Sequence, residues 1–440
     1  MDLKRLFIML AVLLVWAACS DDDEGGVTIP SLAIESDEAV KPDSTLNMVV
    51  TVTAPGLVAM DGITGEVVNG EGILARTSIQ GENQETGSAT FEFAAGSVEN
   101  TTTLVRFFAL DQVGQTGTVE FEIDITSLEI KQVIVLNEGN FFSANGSLDV
   151  FDITQDQIEN SVYSANATIQ HAVFYEDKIY LVTNAPDRLD IFNGDLESEA
   201  TIDQGFDNPI DFAAVGTTGF VSNWGDINTA FTDNPDSYIA ILDLETLTVT
   251  DSVLLSQRPQ NLIAHNDMVY IALEGGSAVS VLNPTDLSLV DITVAPGPSE
   301  LVLDGTGNVW SLCTSGALVE INTVDNSAGT TIDGLTTAGF TEKMAINGSG
   351  NIIYFLGGTN DSFTGLTTVY QVDLNTQQVS PLVEGGFALY GIGVNPESNE
   401  IYIGDSNAFQ STGTGFRYSP EGDKLDEFAT GIGPNGFLFK

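Results

Sequence analysis

The sequence predicts an all-β chain in which a seven-bladed β-propeller is preceded by an immunoglobulin-like β-sandwich. Three observations lead to this fold class: a short phrase that recurs every 39 to 51 residues, an aromatic-bearing strand before each copy, and an N-terminal region of alternating strands without the repeat. The chain has 440 residues, of which 42% are hydrophobic and 44 are glycine. It can therefore form two cores and is too apolar to be disordered.

The N-terminus has the organisation of an export signal. Lys4 and Arg5 provide positive charge, and residues 6–18 form an apolar run of 13 residues that ends at Cys19. This run is too short to span a bilayer but has the length of a signal-peptide core. Residues 15–19 resemble a bacterial lipobox, which implies that residues 1–19 are a lipoprotein signal with a lipidated Cys19. An ordinary secretory signal that is cut nearby is the alternative.

Residues 20–26, with the sequence Ser-Asp-Asp-Asp-Glu-Gly-Gly, form an acidic tether. The tether is similar to the signal that sends lipoproteins of Bacteroidota to the outer face of the outer membrane, although acidic termini are also common as solvated tethers. The resemblance implies an extracellular protein that contacts the membrane through its lipid anchor only. Cys313 then lacks a disulfide partner, and we expect it to be a buried thiol.

Residues 27–128 have a different sequence pattern from the rest of the chain, because they lack the repeat of about 40 residues. They contain alternating runs, such as residues 46–52, 89–93 and 118–125, which are separated by Gly, Pro and Asn turns. Short alternating strands over about a hundred residues predict a β-sandwich of immunoglobulin type. Residues 105–114 resemble the penultimate strand and turn of bacterial immunoglobulin-like domains. We expect a spacer between membrane and propeller, with adhesion as the other possibility.

The propeller is predicted for residues 133–440. An apolar pair followed by Asp or Asn and a turn recurs, and the polar position falls seven times, at Asp152, Asn193, Asp243, Asn283, Asn322, Asp373 and the degenerate Ser419. The separations of 41, 50, 40, 39, 51 and 46 residues are typical of a four-stranded propeller blade.

Each blade also contains an aromatic-bearing strand before the repeated phrase. These strands contain Tyr180, Phe220, Tyr270, Trp310, Tyr354 and Tyr402, with the plainer pair Val133-Ile134 in the first copy. Prolines at 209, 259, 298 and 434 mark the start of inner strands, where a fixed φ is favourable. The first blade lacks an inner strand, whereas residues 434–440 form a strand without a blade. We therefore expect the C-terminal strand to close the ring.

The net charge of −49 restricts the partners of this chain. Residues 133–440 alone hold 7 basic and 41 acidic side chains, so the acidity extends over the repeats. A strongly negative protein is not a direct electrostatic partner for nucleic acid or for an anionic membrane surface. Solubility is the simplest reason for the charge, and a neutral or cationic ligand is compatible with it.

The repeat region resembles the seven-bladed propellers of the YncE-like, YVTN-repeat group. The repeated apolar-apolar-Asp phrase carries this resemblance over the last 308 residues. Residues 135–148, with the sequence VLNEGNFFSANGSL, are similar to the first blade of Bacteroidota surface lipoproteins, some of which capture vitamin B12 for an outer-membrane transporter. The resemblance implies a corrinoid or another small organic nutrient as ligand and a transporter as partner.

A ligand site is predicted on one face of the propeller. The loops into the inner strands share that face with four long loops after the aromatic strands, at residues 137–146, 223–237, 357–365 and 405–415. Aromatic rings beside amide and hydroxyl groups can hold a large, partly polar organic molecule, and an arginine can take a phosphate or carboxylate. The candidate ligand-binding residues are Asn137, Glu138, Asn140, Phe141, Phe142, Arg188, Trp224, Phe231, Arg258, Phe363, Asp405 and Phe409. Ordinary long turns would explain the same pattern without a ligand.

Metal and enzyme interpretations have less support. Asp226, Asn228, Asp233, Asn234 and Asp236 offer calcium-type ligands in one loop, but they match no EF-hand spacing and are typical of solvated turns. No metal or cofactor is therefore predicted. The two histidines, His171 and His265, leave few candidates for a general base. A lactonase-like hydrolase would need Glu138, Glu274 and Asp405 to converge at the channel.

Function is accordingly predicted as non-enzymatic capture of a small organic ligand at the cell surface. The first alternative is a scaffold for protein interaction or adhesion, and the second is a metal-dependent propeller hydrolase. No catalytic residue is assigned, because the sequence contains no nucleophile or metal-spacing motif.

Overall fold

A computed structural model gives the fold for residues 29–36, 39–40, 44–98, 101–125, 130–226, 236–335, 343–358 and 366–440. The predicted all-β class is confirmed, since regular structure in these ranges consists of strands apart from the 3-10 helix Asn407–Phe409. Within the same residues, no helix is long and apolar enough to cross a membrane. The chain divides into two compact units, Met1–Glu129 and Ile130–Lys440.

The first unit contains two four-stranded sheets. Its strands are β1 (Ser31–Glu35), β2 (Ala39–Val40), β3 (Thr45–Thr53), β4 (Val58–Asn69), β5 (Gly72–Gln80), β6 (Thr86–Ala95), β7 (Thr101–Asp111) and β8 (Thr116–Ile125). One sheet has the order β1-β3-β6-β5 and the other has the order β2-β8-β7-β4. All pairings are antiparallel except that of β2 with β8.

Alternation of apolar and polar residues directs one face of each sheet into a shared core. Met48 and Val50 on β3 are fully buried, whereas their neighbours along the strand are more exposed. The rings of Phe91 and Phe107, one from each sheet, meet edge to face with centroids 4.8 Å apart. A period of two therefore positions this core, as expected for strands with one covered face.

The second unit contains 27 strands in the residues described. They are β9 (Gln132–Asn137), β10 (Ser147–Asp152), β11 (Gln157–Ser164), β12 (Thr168–Tyr175), β13 (Lys178–Asn184), β14 (Arg188–Asn193), β15 (Ser198–Ile202), β16 (Pro209–Val215), β17 (Thr218–Asn223), β18 (Tyr238–Asp243), β19 (Thr248–Leu254), β20 (Pro259–His265), β21 (Met268–Leu273), β22 (Ala278–Leu282), β23 (Leu289–Thr293), β24 (Pro298–Leu303), β25 (Val309–Cys313), β26 (Ala317–Asn322), β27 (Ser327–Asp333), β28 (Met344–Ile346), β29 (Ile352–Gly357), β30 (Leu366–Asp373), β31 (Gln378–Val394), β32 (Ile401–Asp405), β33 (Thr414–Tyr418), β34 (Lys424–Ala429) and β35 (Pro434–Phe439).

These strands form small antiparallel sheets in which neighbours in sequence are neighbours in space. Four sheets follow chain order over four strands each, namely β12–β15, β16–β19, β20–β23 and β24–β27. A seven-stranded sheet runs from β28 to β34, because the long strand β31 pairs with β30 through its first half and with β32 through its last residues. The remaining sheet has the order β11-β10-β9-β35. Strand β35 therefore joins the C-terminus to the first strand of the unit.

Seven strands contact one another in a closed succession: β12, β16, β20, β24, β28, β31, β35 and again β12. The first five begin sheets, β31 lies within the seven-stranded sheet, and β35 is the edge strand next to β9. Apolar clusters fill the spaces between successive sheets, as where Tyr180 of β13 stacks on Phe212 of β16 with ring centroids 4.4 Å apart. Sheets that pack face to face around a common axis constitute a propeller-like fold, and the prediction is confirmed at this level.

The repeated Asp and Asn residues of the sequence occupy tight turns between the third and fourth strands of the sheets. Asp152 Oδ1 accepts hydrogen bonds from the backbone N–H groups of Thr154 at 2.8 Å and Gln155 at 3.1 Å. Asp243 and Asp373 accept bonds from the residues two and three positions ahead in the same way. A short polar side chain that accepts hydrogen bonds from its own turn explains why the phrase recurs.

Candidate ligand-binding site

An irregular strand start recurs around the axis of the second unit. Register shifts occur at or near the beginning of β12, β16, β20, β24 and β35, and where β31 starts to pair with β32. An extra residue in one strand bends it and redirects a side chain. The residues at these bulges are Gln170, Ile210, Gln260 with Asn261, Ser299, Tyr390 and Asn435.

A cavity of about 480 Å³ lies where these strands converge. Five of the six bulges contribute a bulge residue to its wall, and Glu300 follows the sixth. The full lining comprises Glu138, Phe141, Gln170, His171, Asn184, Asn208, Ile210, Asp211, Trp224, Gln260, Asn261, Glu300, Lys343, Tyr390 and Asn435. A volume in this range suits a small organic molecule.

The wall combines aromatic rings, side-chain amides and charged groups. Phe141, Trp224 and Tyr390 provide apolar surface, while six Asn and Gln residues can donate or accept hydrogen bonds. Such a mixture can hold a ligand by stacking and by a few directed hydrogen bonds. The charged groups within this wall determine which ligand it favours.

His171 and Asp211 form one ion pair in the wall, through Nδ1 of the ring and Oδ1 of the carboxylate. Asp211 is 2% exposed, and its Oδ2 also accepts bonds from Asn261 Nδ2 at 2.8 Å and from the Leu262 N–H at 2.7 Å. Burial lowers the pKa of His171, but the charge and hydrogen bond of Asp211 raise it by more, so the net shift is upward. With 32% of its side chain exposed, His171 presents its ring to the cavity beside the Asp211 carboxylate.

Lys343 and Glu300 form a second pair, with 3.8 Å between Nζ and Oε2. Burial raises the pKa of Glu300, and the charge of Lys343 opposes this effect. Lys343 directly precedes β28 and Glu300 lies in β24, so the pair links two successive sheets. Each charge in this part of the wall therefore has a neighbour of opposite sign.

Glu138 lies directly after β9 and is held by its backbone. Its N–H donates to the carbonyl of Gly433 at 2.8 Å, and its carbonyl accepts from the N–H of Ile169 at 3.0 Å. The side-chain carboxylate accepts a hydrogen bond from the hydroxyl of Tyr390. Burial raises the pKa of Glu138 to about 7, although the Tyr390 bond and the charge of Lys343 lower it. This carboxyl therefore titrates near neutral pH.

Trp224 is fixed on both its edge and its face. Its Nε1 donates to the carbonyl of Pro259 at 2.7 Å, and the Arg258 guanidinium lies 4.6 Å from the ring centroid. Arg258 in turn pairs with Glu274, with 2.5 Å between Nη2 and Oε2. The sequence predicted Arg258 as an anion ligand, and the structure instead shows this guanidinium against a tryptophan and a carboxylate.

Three of the predicted site residues line the cavity: Glu138, Phe141 and Trp224. Phe409 lies behind the wall, where its ring meets Tyr390 edge to face with centroids 4.9 Å apart. Asn137 is buried and donates from Nδ2 to Asp149 Oδ2 at 2.8 Å. Neither residue lines the cavity: Phe409 packs against the lining residue Tyr390, and Asn137 bonds to the adjacent strand β10.

Four other predicted residues stabilise local structure or project outward. The Nε of Arg188 donates to both carboxylate oxygens of Asp190, at 3.0 and 2.8 Å. Asp405 Oδ2 accepts from the N–H groups of Phe387 at 3.0 Å and Ala388 at 3.1 Å. Asn140 closes the loop after β9 by donating from its N–H to Asn145 Oδ1 at 2.7 Å. Phe142 extends from that loop with 94% of its surface exposed.

Several predictions fall outside the described residues, namely those on Cys19, Phe231 and Phe363 and most of the calcium-type loop. Of that loop, Asp226 and Asp236 are described, and the Asp226 N–H donates to Asp236 Oδ2 at 3.1 Å. Among the described side chains, no group of three or more His, Cys, Asp or Glu residues is arranged to hold a metal. Glu274 and Asp405 do not join Glu138 in the lining.

Sequence reasoning missed most of the cavity wall, which comes from the first strands rather than the loops. The prolines that open the inner strands could have indicated these residues. Asp211, Asn261 and Glu300 each lie two positions after such a proline, and Asn435 lies one position after. A proline that opens a bulged strand fixes which following side chain faces the axis. His171 was noted only as a possible base, and Lys343 and Tyr390 carried no pattern that singled them out.

The fold and the cavity together define a propeller-like protein with a ligand-sized chamber on its axis. The chain belongs to the family described as a domain of unknown function, DUF5074, which matches residues 131–419. A comparison with curated proteins found no match.

Solved structures are similar in fold at low sequence identity. A quinonprotein alcohol dehydrogenase-like protein from Bacteroides thetaiotaomicron aligns with a TM-score of 0.55 at 16% identity, covering 91% of this chain and 96% of that chain. A functionally unknown protein from Desulfotomaculum acetoxidans aligns with a TM-score of 0.53 at 9% identity, covering 71% and 99%. Hydrazine synthase of Kuenenia stuttgartiensis aligns with a TM-score of 0.50 at 12% identity, covering 61% and 88%. At these identities the similarity concerns the fold alone.

Proposed function

We propose that this chain is a non-enzymatic binding protein that holds a small, partly polar organic ligand in its axial cavity. One observation carries the proposal: bulged strands from separate sheets direct amide, aromatic and charged side chains into one chamber of about 480 Å³. Polar groups that converge beside aromatic rings in one chamber are a usual composition of a ligand site.

We further infer that the second unit is a seven-bladed propeller of YncE-like type and that the first unit is an immunoglobulin-like sandwich. Division of the seven-stranded sheet within β31 would give two blades, and β35 would complete the blade of β9 to β11. The shared core of the two four-stranded sheets supports the sandwich. An experimental electron-density map of the protein tests both inferences, and a different number of four-stranded units would contradict the first.

The proposed location is the extracellular face of the outer membrane, with a lipid on Cys19. The apolar run before Cys19 and the acidic tether after it support this location. Cells supplied with labelled palmitate are expected to label the wild-type protein and not Cys19→Ser, and external protease is expected to digest the protein on intact cells. Label on the Cys19→Ser variant, or protection from protease, would contradict the location.

A corrinoid captured for an outer-membrane transporter is the candidate ligand that the family resemblance supplies. A corrinoid is larger than the cavity, so only one part of it would enter while the rest would rest on the exposed rings of Phe141 and Phe142. Smaller organic nutrients would fit inside. The proposal therefore concerns the chamber first and the identity of its ligand second.

A thermal-shift panel of cobalamin, cobinamide, haem and glycans tests the proposal on the purified protein. A ligand of the cavity is expected to raise Tm, since binding to the folded state alone stabilises it. Trp224→Ala is expected to remove that shift. Tyr175→Ala, which changes an aromatic residue at the far end of β12, serves as the matched control and is expected to keep it. A shift that survives Trp224→Ala would exclude the chamber as the site.

A scaffold for protein interaction is the second candidate, and one observation favours it. Phe142 is 94% exposed at the tip of the loop after β9, and a large exposed ring at a loop tip is a frequent anchor at interfaces. Photo-crosslinking from position 142 on intact cells tests this role. A partner that is lost in Phe142→Ser but kept in Trp224→Ala would assign the loop tip to docking rather than to the chamber.

A further inference from the structure

The charged groups of the cavity wall do not balance. His171 pairs with Asp211, and Lys343 pairs with Glu300. Glu138 forms no ion pair within 4 Å with any residue that the structure describes, although the charge of Lys343 acts on it and lowers its pKa. After the two pairs are matched, one carboxylate remains.

The Glu138 carboxylate is also short of hydrogen-bond donors. The hydroxyl of Tyr390 is its one side-chain donor within the described part of the chain. A carboxylate can accept about four hydrogen bonds, so this group has spare capacity toward the cavity that it lines.

Two amide oxygens of the wall have no donor at all among the described residues. Asn435 is 7% exposed, and its Nδ2 is committed to the carbonyls of Ile169 at 3.0 Å and Gln170 at 3.2 Å, which leaves Oδ1 unpaired. Oε1 of Gln260 is likewise buried without a partner. A buried acceptor without a donor is destabilising, and a ligand rich in N–H groups would supply the missing donors.

The remaining surroundings also favour positive charge. Phe141, Trp224 and Tyr390 contribute aromatic rings to the wall, and aromatic rings attract organic cations. The net charge of −49 adds a long-range field that draws cations toward the protein. An anion would meet His171 and Lys343, but both already have carboxylate partners that it would have to displace.

We propose, on the basis of the ligand-binding function proposed above, that the cavity takes an organic cation. Its protonated amine pairs with Glu138, and its apolar or aromatic body rests against Phe141 and Trp224. The ligand class is therefore a small amine rather than a carboxylate, a phosphate or a neutral alcohol.

Binding of such a cation is coupled to a proton. The pKa of Glu138 is about 7 in the unliganded protein, and an ammonium group favours the ionised carboxyl, so binding releases a proton and strengthens as pH rises. The charged and titratable groups around this carboxyl are Tyr390, Lys343, His171, Asp211 and Glu300. Affinity is expected to rise about tenfold between pH 6 and pH 8, following the ionised fraction of a group with this pKa.

Three indole probes of matched shape test the proposal: tryptamine, tryptophol and indole-3-acetate. Isothermal titration calorimetry of the whole protein at pH 8 is expected to give tryptamine an affinity at least tenfold above that of tryptophol, with indole-3-acetate the weakest. Glu138→Gln is expected to remove the preference for tryptamine and most of its pH dependence. Glu159→Gln, an exposed site on the outer strand β11, makes the same charge change and is expected to leave both intact.

Two safeguards keep the test decisive. If Glu138→Gln does not fold, Tyr390→Phe is used instead and is expected to shift the pH dependence to higher pH, because it removes the donor that lowers the pKa of Glu138. Equal or tighter binding of tryptophol or indole-3-acetate would overturn the cation inference and leave the proposed binding function standing. Failure of all three probes at millimolar concentration overturns it as well. The binding function itself falls only if the corrinoid, haem and glycan panel also gives no shift.

Discussion

In the second unit, the strand of each sheet that lies at the axis (the first strand) and its hydrogen-bonded neighbour (the second strand) differ in burial and in polarity. The second strands β17, β21 and β25 are buried at nearly every position and carry large aromatic residues. The first strands β16, β20 and β24 carry polar residues beside a bulge at their starts. A second strand is paired on both edges and covered on both faces, so it reads as a continuous apolar run. A first strand has one unpaired edge at the axis, which leaves it free to bulge and to present polar groups.

The comparison predicts that second strands provide stability and first strands provide the site. Phe220 of β17 is fully buried between sheets, so Phe220→Ala is expected to lower the free energy of unfolding by about 3–5 kcal/mol through lost burial and a cavity. Denaturant unfolding measures the change. Phe142→Ala replaces the same residue type at a 94% exposed position and is expected to change stability by less than about 0.5 kcal/mol. Similar losses in both variants would contradict the division of roles.

Asp211 is expected to be an exception to this division, because it is a first-strand residue whose contacts link β12, β16 and β20 and therefore contribute to stability. Its carboxylate bonds to His171, Asn261 and the N–H of Leu262. Asp211→Ala leaves those groups unpaired in a buried site and is expected to cost about 2–4 kcal/mol.

Asp251→Ala is the matched control, because Asp251 lies exposed on the outer strand β19 and its carboxylate accepts only from the N–H of Ser252 among the described contacts. Urea unfolding of the two variants under one buffer gives the comparison. Equal stability of both would mean that the His171 network does not hold the first strands together.

Substitution of Glu138, unlike that of Asp211, is expected to stabilise the protein. Its folded pKa of about 7 lies above the unfolded value of about 4.3, so the ionised carboxyl is disfavoured in the folded state. That penalty is complete above pH 7, decreases as pH falls, and is absent below the unfolded pKa. Glu138→Gln is therefore expected to raise stability by about 1–3 kcal/mol at pH 8 and by almost nothing at pH 4. Tm measured against pH for both proteins tests this, and a uniform difference at all pH values would contradict it.

The sequence could predict the propeller-like fold because its signals are local and repeated. Turn aspartates such as Asp152 satisfy their own backbone, and aromatic residues such as Tyr270 are buried wherever the second strand recurs. Each copy repeats the same physical requirement, so the period is visible without knowledge of distant contacts. The same reasoning identified Trp224, which directly follows the second strand β17, and Phe141, which lies in the loop after β9.

The remainder of the site could not be predicted because it depends on contacts between distant residues. Tyr390 meets Glu138 across 252 positions of sequence, and no local pattern marks Lys343. Arg188 was predicted as an anion ligand, and the sequence did not reveal that its Nε donates to Asp190. Bulges, which decide the side-chain directions, arise from register between strands and leave only the inner-strand prolines as a trace.

The smallest expected effect separates two tyrosines, one on each kind of strand. Tyr390→Phe removes the hydroxyl that donates to Glu138, and this bond lowers the pKa of that carboxyl. Its loss is expected to move the pH midpoint of the Glu138 stability effect upward while changing the free energy of unfolding at pH 5 by less than about 1 kcal/mol. Tyr354→Phe alters a buried tyrosine on the second strand β29 and should leave the midpoint unchanged. Both variants delete one phenolic oxygen, so they differ only in the strand that carries it. An equal shift of the pH midpoint in the two variants would show that second strands also act on the Glu138 carboxyl. That result would contradict the separation between strands that stabilise the fold and strands that form the site.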